Sequence, residues 1–246
     1  MTSSEAVNPQ QRAVVVEGLR NVRDLGGQRR TAGGVTPMGV FFRSENLDLV
    51  TEEGWQELYT LGVRTVVDLR QPIEGEQAKY ATPSWITVEF VDHDGLVDHP
   101  GFWSGYWGNG LVSTPLYYLP HLEQLPERSA DVLRVIARAR PGGVLFHCAG
   151  GRDRTGIISM LLQVVAGAES AAVVEDYLES VRNGGSVSTA RGRPDTEPEK
   201  EDLCRAHGTS TEAAFRAVLD ALDVELVLKN LTAADRAAIQ SWRGSI

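Results

Sequence analysis

The stretch HCAGGRDRTG, from His147 to Gly156, gathers the side chains of this sequence most able to do chemistry. It follows VLF, which reads as a buried strand, and leads into RTGIISMLLQVVAG, a helix apolar on most sides. A turn between a strand end and a helix start directs backbone amides inward and adds the positive end of the helix dipole, so it favours an anion. Gly150, Gly151 and Gly156 let the chain curl tightly and approach an oxyanion without a Cβ in the way. Cys148 lies where the amides of Ala149, Gly150 and Gly151 would stabilise a thiolate, the nucleophilic form of cysteine. Arg154, six residues on, is spaced to fold back and grip two phosphate oxygens with its planar fork. Thr155 offers a hydroxyl to the sulfur as it leaves, Arg152 a second cation, and His147 orders the loop through backbone hydrogen bonds. The chemistry implied is a two-step phosphoryl transfer through a covalent cysteine intermediate.

The elements that must position this loop read as follows. AVVVEG (13–18), GVFFR (39–43), RTVVDLR (64–70) and WITVEFVD (85–92) have strand character, with VLFHC as the last strand. TEEGWQELYTLG reads as a helix opened by Thr51, and SADVLRVIARAR (129–140) as an amphipathic one closed by Pro141 and Gly142. Further helices are expected around ESAAVVEDYLESVR, over 211–222 and over 232–242. Residues 93–120 have no clean period and read as a long irregular segment, while 183–200, rich in Gly, Pro and charge, read as a mobile loop. Strands alternating with helices predict an α/β fold, a central parallel-rich sheet flanked by helices. The expected organisation is a loose tail over 1–12 and one domain over 13–246, with a helical C-terminal part at about 196–246.

At 246 residues the chain is long enough for one substantial core. A net charge of -9 offers no broad basic surface to nucleic acid, so an anion site must be built locally. Two cysteines, Cys148 and Cys204, cannot make a disulfide framework, which fits a reducing compartment. No apolar run is long enough to span a bilayer, and the N-terminus has no Sec-type signal, so a soluble cytoplasmic protein is expected, with non-classical export left open. No second Cys/His pair stands at ligand spacing beside His147 and Cys148, so neither a metal nor another cofactor is expected.

HCAGGRDRTG resembles the signature loop of the protein tyrosine phosphatase superfamily, and most of all that of the bacterial atypical tyrosine phosphatases, whose loop reads HCxAGKDRTG. Arg152 stands where that family has Lys. NVRDLGG (21–27), FFRSENL (41–47), GVRTVVDLR (62–70) and EDYLES (175–180) are similar to the family's other motifs, in the same order. The resemblance implies a tyrosine-phosphatase-like fold and a metal-independent phosphatase of phosphotyrosine, extending to phosphoserine, phosphothreonine and phosphoinositides. Its substrates would be phosphorylated proteins or phosphoinositides, with Arg152 suiting a polyanionic headgroup. It also implies an aspartate general acid inside the loop, at Asp153, with Asp92, Asp94 and Asp68 as rivals. Asp68 is grouped with the substrate-binding residues and reads equally as half of a structural pair with Arg70.

Blander readings compete. A lone cysteine after a strand is usually a small core hydrophobe, and the aromatics Phe102, Trp103, Tyr106, Trp107, Tyr117 and Tyr118 read first as anchors for their segment and second as a grip on a phosphotyrosine ring. RGRPDTEPEKED reads as a solvated loop. Two other functions stay open at this stage, a rhodanese-type sulfurtransferase and a catalytically dead phosphate-binding module.

Overall fold

The computed structural model describes residue 12 and residues 14–244. Five strands, β1 (Arg23–Asp24), β2 (Phe41–Ser44), β3 (Val63–Asp68), β4 (Thr87–Phe90) and β5 (Gly143–His147), form one sheet in the order β1-β2-β5-β3-β4. All neighbours run parallel except the short edge strand β1. β5, the central strand, is buried along its whole length, as a parallel strand covered on both faces must be.

Eleven α-helices are found among the described residues: α1 (Glu52–Thr60), α2 (Pro72–Glu76), α3 (Pro100–Trp103), α4 (Tyr118–Gln124), α5 (Pro126–Arg138), α6 (Asp153–Val165), α7 (Ser170–Ala190), α8 (Glu197–Ala206), α9 (Thr211–Ala221), α10 (Glu225–Leu228) and α11 (Ala233–Gln240). The two-residue period of the strands sorts their side chains between two cores. Phe41, Val67, Val144 and Phe146 pack with Leu133 and Ile136 of α5 and Ile158 and Leu161 of α6. Phe42, Val66 and Leu145 turn to the opposite face and meet Trp55 and Leu58 of α1. Thr51 opens α1 as expected, its hydroxyl accepting from the Gly54 amide at 3.1 Å.

Four expectations need correction. Arg12, the last residue of the expected loose tail, is buried and ion-paired with Asp176 of α7. Residues 14–18 form no strand; Val16 is buried as a single anchor beside Leu19, and the sheet edge is taken by Arg23–Asp24 instead (Ala13 lies outside the described residues). The segment 93–120 is not structureless: it holds α3, two short 3-10 turns and the start of α4, because its aromatics find a core. Trp103, Tyr117 and Tyr118 are fully buried, and the Trp103 indole donates to the Asp94 carbonyl at 2.7 Å. Nor is 183–200 one loop. α7 runs on through Gly184 and Gly185 to Ala190, and α8 starts at Glu197. A Cβ on Gly184 would lie 2.6 Å from the Glu197 side chain, so the paired glycines let the acidic segment fold back onto α7. RGRPDTEPEKED is accordingly half helix rather than solvated loop.

Beneath the aromatics lie two fully buried histidines, His93 and His121, with ring centroids 4.7 Å apart. His121 donates through Nε2 to the His93 carbonyl at 3.1 Å, and His93 shares a 2.9 Å hydrogen bond with Ser129. Burial pushes both rings below the ordinary histidine range, His121 to about 4. Between about 6.5 and 4 the unfolded chain therefore binds a proton at residue 121 that the folded chain refuses, and stability falls as pH falls. For His121 alone the loss at pH 5 is about 2 kcal/mol. Urea unfolding at pH 7 and pH 5 checks this, and His121→Phe, which keeps a ring and removes the titration, should make the decline shallower.

Candidate active site

Cys148 is the first residue beyond β5, and α6 begins five residues later at Asp153, so the loop spans from the central strand to a helix N-terminus. Ser44 of β2 and Asp68 of β3 stand on either side of His147 in the sheet register. The loop's carbonyls are held from outside. Ala149 O accepts from the Asn46 amide at 3.1 Å, Gly150 O from Asn21 Nδ2 at 3.2 Å, and Gly151 O from Asn21 Nδ2 at 3.2 Å and Arg43 Nη2 at 2.6 Å. With the carbonyls committed outward, the amides of Ala149, Gly150, Gly151 and Arg152 donate to no described residue. Such a ring of unpartnered N–H groups is an anion site. Gly151 makes the curl possible: its φ is +68°, and a Cβ there would come within 2.5 Å of the Ser44 carbonyl.

Two of these holders are fixed in turn by one acid, Arg43 directly and Asn21 through Arg23, while Asn46 is held by Arg191. Asp176 of α7 accepts from Arg12 (2.7 Å), Arg23 (2.8 Å) and Arg43 (2.6 Å), all four side chains being almost wholly buried. Burial alone would raise the Asp176 carboxyl, but the three guanidinium groups hold it far below the usual range. Burial, with Arg23 alongside, lowers Arg43 to about 10.

Cys148, 3% exposed, lines a cavity of about 200 Å³ together with Ala149, Gly150, Asp153 and Arg154 from the loop. Asp94, Trp107, Val112, Ser113 and Tyr117 complete its wall. Larger surface hollows, one of about 610 Å³ beside Val15 and Glu57, contain no nucleophile of this kind.

Arg154 is anchored end-on. Its Nη1 and Nη2 donate to Glu74 Oε2 and Oε1 at 2.6 and 3.1 Å, and Nη1 also reaches Asp94 Oδ2 at 3.1 Å. Gln71 closes the ring, its amide donating to Glu74 at 3.1 Å and its side chain to Asp94 at 2.9 Å. Of five N–H donors, the parallel pair on Nε and the outer side of Nη2 meets no acceptor among the described residues, and that edge matches two oxygens of a phosphate. Burial pushes Glu74 up, but Arg154 more than reverses it and holds the carboxyl below its ordinary value; Asp94 is raised, burial outweighing Arg154.

Asp153 lines the cavity and accepts through Oδ1 from Tyr118 Oη at 2.7 Å and from Arg152 Nη1 at 2.8 Å. Arg152 does not line the cavity. Its guanidinium is buried toward α7 and α8, bonded to the Ser113 carbonyl at 2.6 Å, 3.0 Å from Glu197 Oε2 and over the Tyr177 ring. The expectation that it meets a polyanionic substrate is corrected: preceding α6, the side chain turns into the helical layer and not into the cradle.

The remaining candidates separate cleanly. Asp68 is buried, forks with Arg70 at 2.7 Å and lies 3.9 Å from His147 Nδ1, so it is the structural half of its dual reading. Arg70 and His147 hold its carboxyl below the ordinary value against the effect of burial. Asp68 in turn opposes the lowering of His147 by burial, and that ring's Nδ1 contacts the Cys148 carbonyl at 3.1 Å. Thr155 Oγ1 is buried without a partner among the described residues. Asp92 accepts from the amides of Asp94 and Gly95 and shapes the turn that delivers Asp94. Cys204 is fully buried beside Thr211, and burial pushes its thiol up, leaving it poor in thiolate. No cluster of His, Cys, Asp and Glu with metal-holding geometry occurs among the described residues. Sequence reasoning passed over Glu74 and gave Tyr118 no role beyond the aromatic cluster. The capping spacing Gln71-Pro72-Ile73-Glu74 directly after DLR was the available signal for the first; nothing local marked the second.

A family model described as the tyrosine phosphatase family matches residues 14–228. The chain belongs to the tyrosine phosphatase family. It is 30% identical over 210 residues to a protein of Cupriavidus necator carrying a tyrosine-protein phosphatase name, covering 78% of this chain and 75% of that one. A tyrosine-protein phosphatase of Nostoc commune is 28% identical over 76% of this chain and 65% of its own. The triple specificity protein phosphatase PtpB of Mycobacterium tuberculosis is 28% identical over 72% and 71%. A tyrosine phosphatase therefore builds its loop here on the sheet described above, a mostly parallel one under helices.

Two outcomes follow from these contacts. Asp176→Ala leaves three buried cations with only Glu179, 3.6 Å from Arg23, as a nearby counter-charge and should cost about 3–5 kcal/mol in urea unfolding. Glu74→Ala frees the end of Arg154 and should weaken inhibition by vanadate about tenfold with little change in melting temperature; unchanged inhibition would show that Arg154 is oriented without Glu74.

Proposed function

We propose that this tyrosine phosphatase hydrolyses phosphotyrosine on proteins, with Cys148 as nucleophile, Arg154 as phosphate clamp and Asp153 as general acid and then base. The observation that carries the reading is the near-buried Cys148 inside a ring of unpartnered amides, with the free edge of Arg154 on the same small cavity. The thiolate attacks phosphorus, the ester P–O bond breaks, and the departing oxygen takes the Asp153 proton. Water then gives a proton to Asp153 and attacks the phosphocysteine; the S–P bond breaks and inorganic phosphate leaves. The unpartnered Thr155 hydroxyl is the donor available to the sulfur as it departs. Arg154 and the amides stabilise the charge spread over the equatorial oxygens.

Trp107 and Tyr117 on the cavity wall suit an aryl ester. Phosphoserine, phosphothreonine and phosphoinositides are proposed as secondary substrates, in keeping with the triple specificity in the name of PtpB. A phosphoinositide would need a headgroup contact other than Arg152. Two free cysteines and a thiolate mechanism fit a reducing compartment, and the cytoplasm is the proposed site of action. No helix among the described residues is long and apolar enough to cross a membrane.

Asp94 gives a second reading of the acid, because it lines the same cavity and burial favours its protonated form. Cys148→Ser should abolish turnover and retain phosphate or tungstate binding, and a quenched wild-type reaction should carry phosphate on Cys148. Asp153→Asn should lower kcat/KM for phosphotyrosine about 100-fold and for activated aryl esters far less, since their leaving groups depart unprotonated. If Asp94→Asn shows that leaving-group dependence and Asp153→Asn does not, the acid is Asp94.

A further inference from the structure

We propose that Tyr118 is a positioning residue for the acid, selecting which oxygen of Asp153 carries the proton to the substrate. The inference rests on Asp153 being the acid. Oδ1 of Asp153 accepts two hydrogen bonds, from Tyr118 Oη at 2.7 Å and from Arg152 Nη1 at 2.8 Å, while Oδ2 accepts none from the described residues. An oxygen already facing two donors cannot also carry a hydrogen without setting donor against donor. The proton of the acid therefore resides on Oδ2. In the protonated residue, Oδ1 keeps accepting as a carbonyl oxygen while Oδ2–H is free to donate. Transfer to the leaving oxygen then breaks only the Oδ2–H bond, and both bonds to Oδ1 persist.

Tyr118 suits this task because its hydroxyl cannot wander. The side chain is fully buried, and its ring meets Tyr117 edge-on at 4.9 Å, Tyr177 at 6.1 Å and Phe215 at 6.3 Å, each near a right angle. Burial, followed by the Asp153 charge, keeps the phenol well above its ordinary pKa, so it remains a donor. Arg152 is tied to the Ser113 carbonyl and to Glu197 of α8, so the second donor is also fixed. The C-terminal helices thus reach the reaction through two contacts on one carboxylate oxygen. Tyr118 is the informative one to remove, because its loss leaves the local charge unchanged.

The test is a series of aryl phosphates from phenyl to 2,4-dinitrophenyl, with kcat/KM, which reports only the steps through P–O cleavage, measured for wild type, Tyr118→Phe, Asp153→Asn and the double variant. Tyr118→Phe should slow the phenyl ester about tenfold and the dinitrophenyl ester under about twofold, with no further loss in the Asp153→Asn background. Equal slowing across the series, no slowing, or additive slowing in the double variant overturns the inference and leaves the acid assignment standing. A flat series for Asp153→Asn removes the acid assignment itself and this inference with it. Should Tyr118→Phe melt below the assay temperature, 4-fluorophenylalanine at position 118 fills the space of the hydroxyl without a donor and is read against the same outcomes.

Discussion

A single carboxylate in a space almost closed to water, Asp176, carries three guanidinium groups, and the geometry of the loop depends on it. Each of Arg12, Arg23 and Arg43 would be prohibitively costly to bury alone; around one anion they share its charge and exchange hydrogen bonds for lost hydration. The arrangement joins the start of the domain, the edge of the sheet and the middle of α7 at one point. From that point Arg43 reaches the Gly151 carbonyl and Arg23 steadies Asn21, which holds the same carbonyl and its neighbour. A loop whose carbonyls are pulled outward must present its amides inward. The anion site is thus a consequence of where the carbonyls are tied, and no lysine-rich surface is needed in a protein of net charge -9.

Two arginines of the loop are each held by a pair of carboxylates, one of which lines the cavity (Asp94, Asp153) and one of which does not (Glu74, Glu197). Arg154 leans on Glu74 and Asp94, and Arg152 on Asp153 and Glu197. Anchoring a guanidinium in this way lowers its freedom before substrate arrives, and preorganised donors lose less on binding. The division of labour differs between the two. Arg154 keeps one edge toward the cavity, whereas Arg152 donates through Nη1 to Ser113 and Asp153, and its Nε and Nη2 have no hydrogen-bond partner among the described residues.

The segment between β4 and α5 is kept by packing and not by regular structure. Its aromatics and two neutral histidines interlock, so Asp94 and Tyr117 enter the cavity wall from a region without a long helix or strand. A polar turn made by Asp92 and an indole bond from Trp103 to the Asp94 carbonyl place the acid residue of that wall. The anchoring role of the aromatics and their contact with the cavity are therefore compatible: Trp103 and Tyr118 serve the first, Tyr117 serves both, and the exposed Trp107 serves the second.

The decapeptide from His147 to Gly156 was legible without coordinates because its chemistry is local. Strand, curl, glycine and helix start follow one another along the chain, and each constrains the backbone of the next. The parallel-rich sheet was legible for a similar reason, since fully apolar strands alternating with amphipathic helices leave few other solutions. Direction was not legible. Arg152 and Arg154 stand two residues apart with the same charge, yet one faces the cradle and the other the helical layer, because only the packed α7 and α8 offer Tyr177 and Glu197 to residue 152. Glu74 and Tyr118 escaped notice for the complementary reason: their partners lie 80 and 35 positions away, and no spacing rule spans such distances. Residue order decided which groups enter the loop. Long-range packing, which fixes orientation by burying one side of each side chain, decided which of them face the cavity.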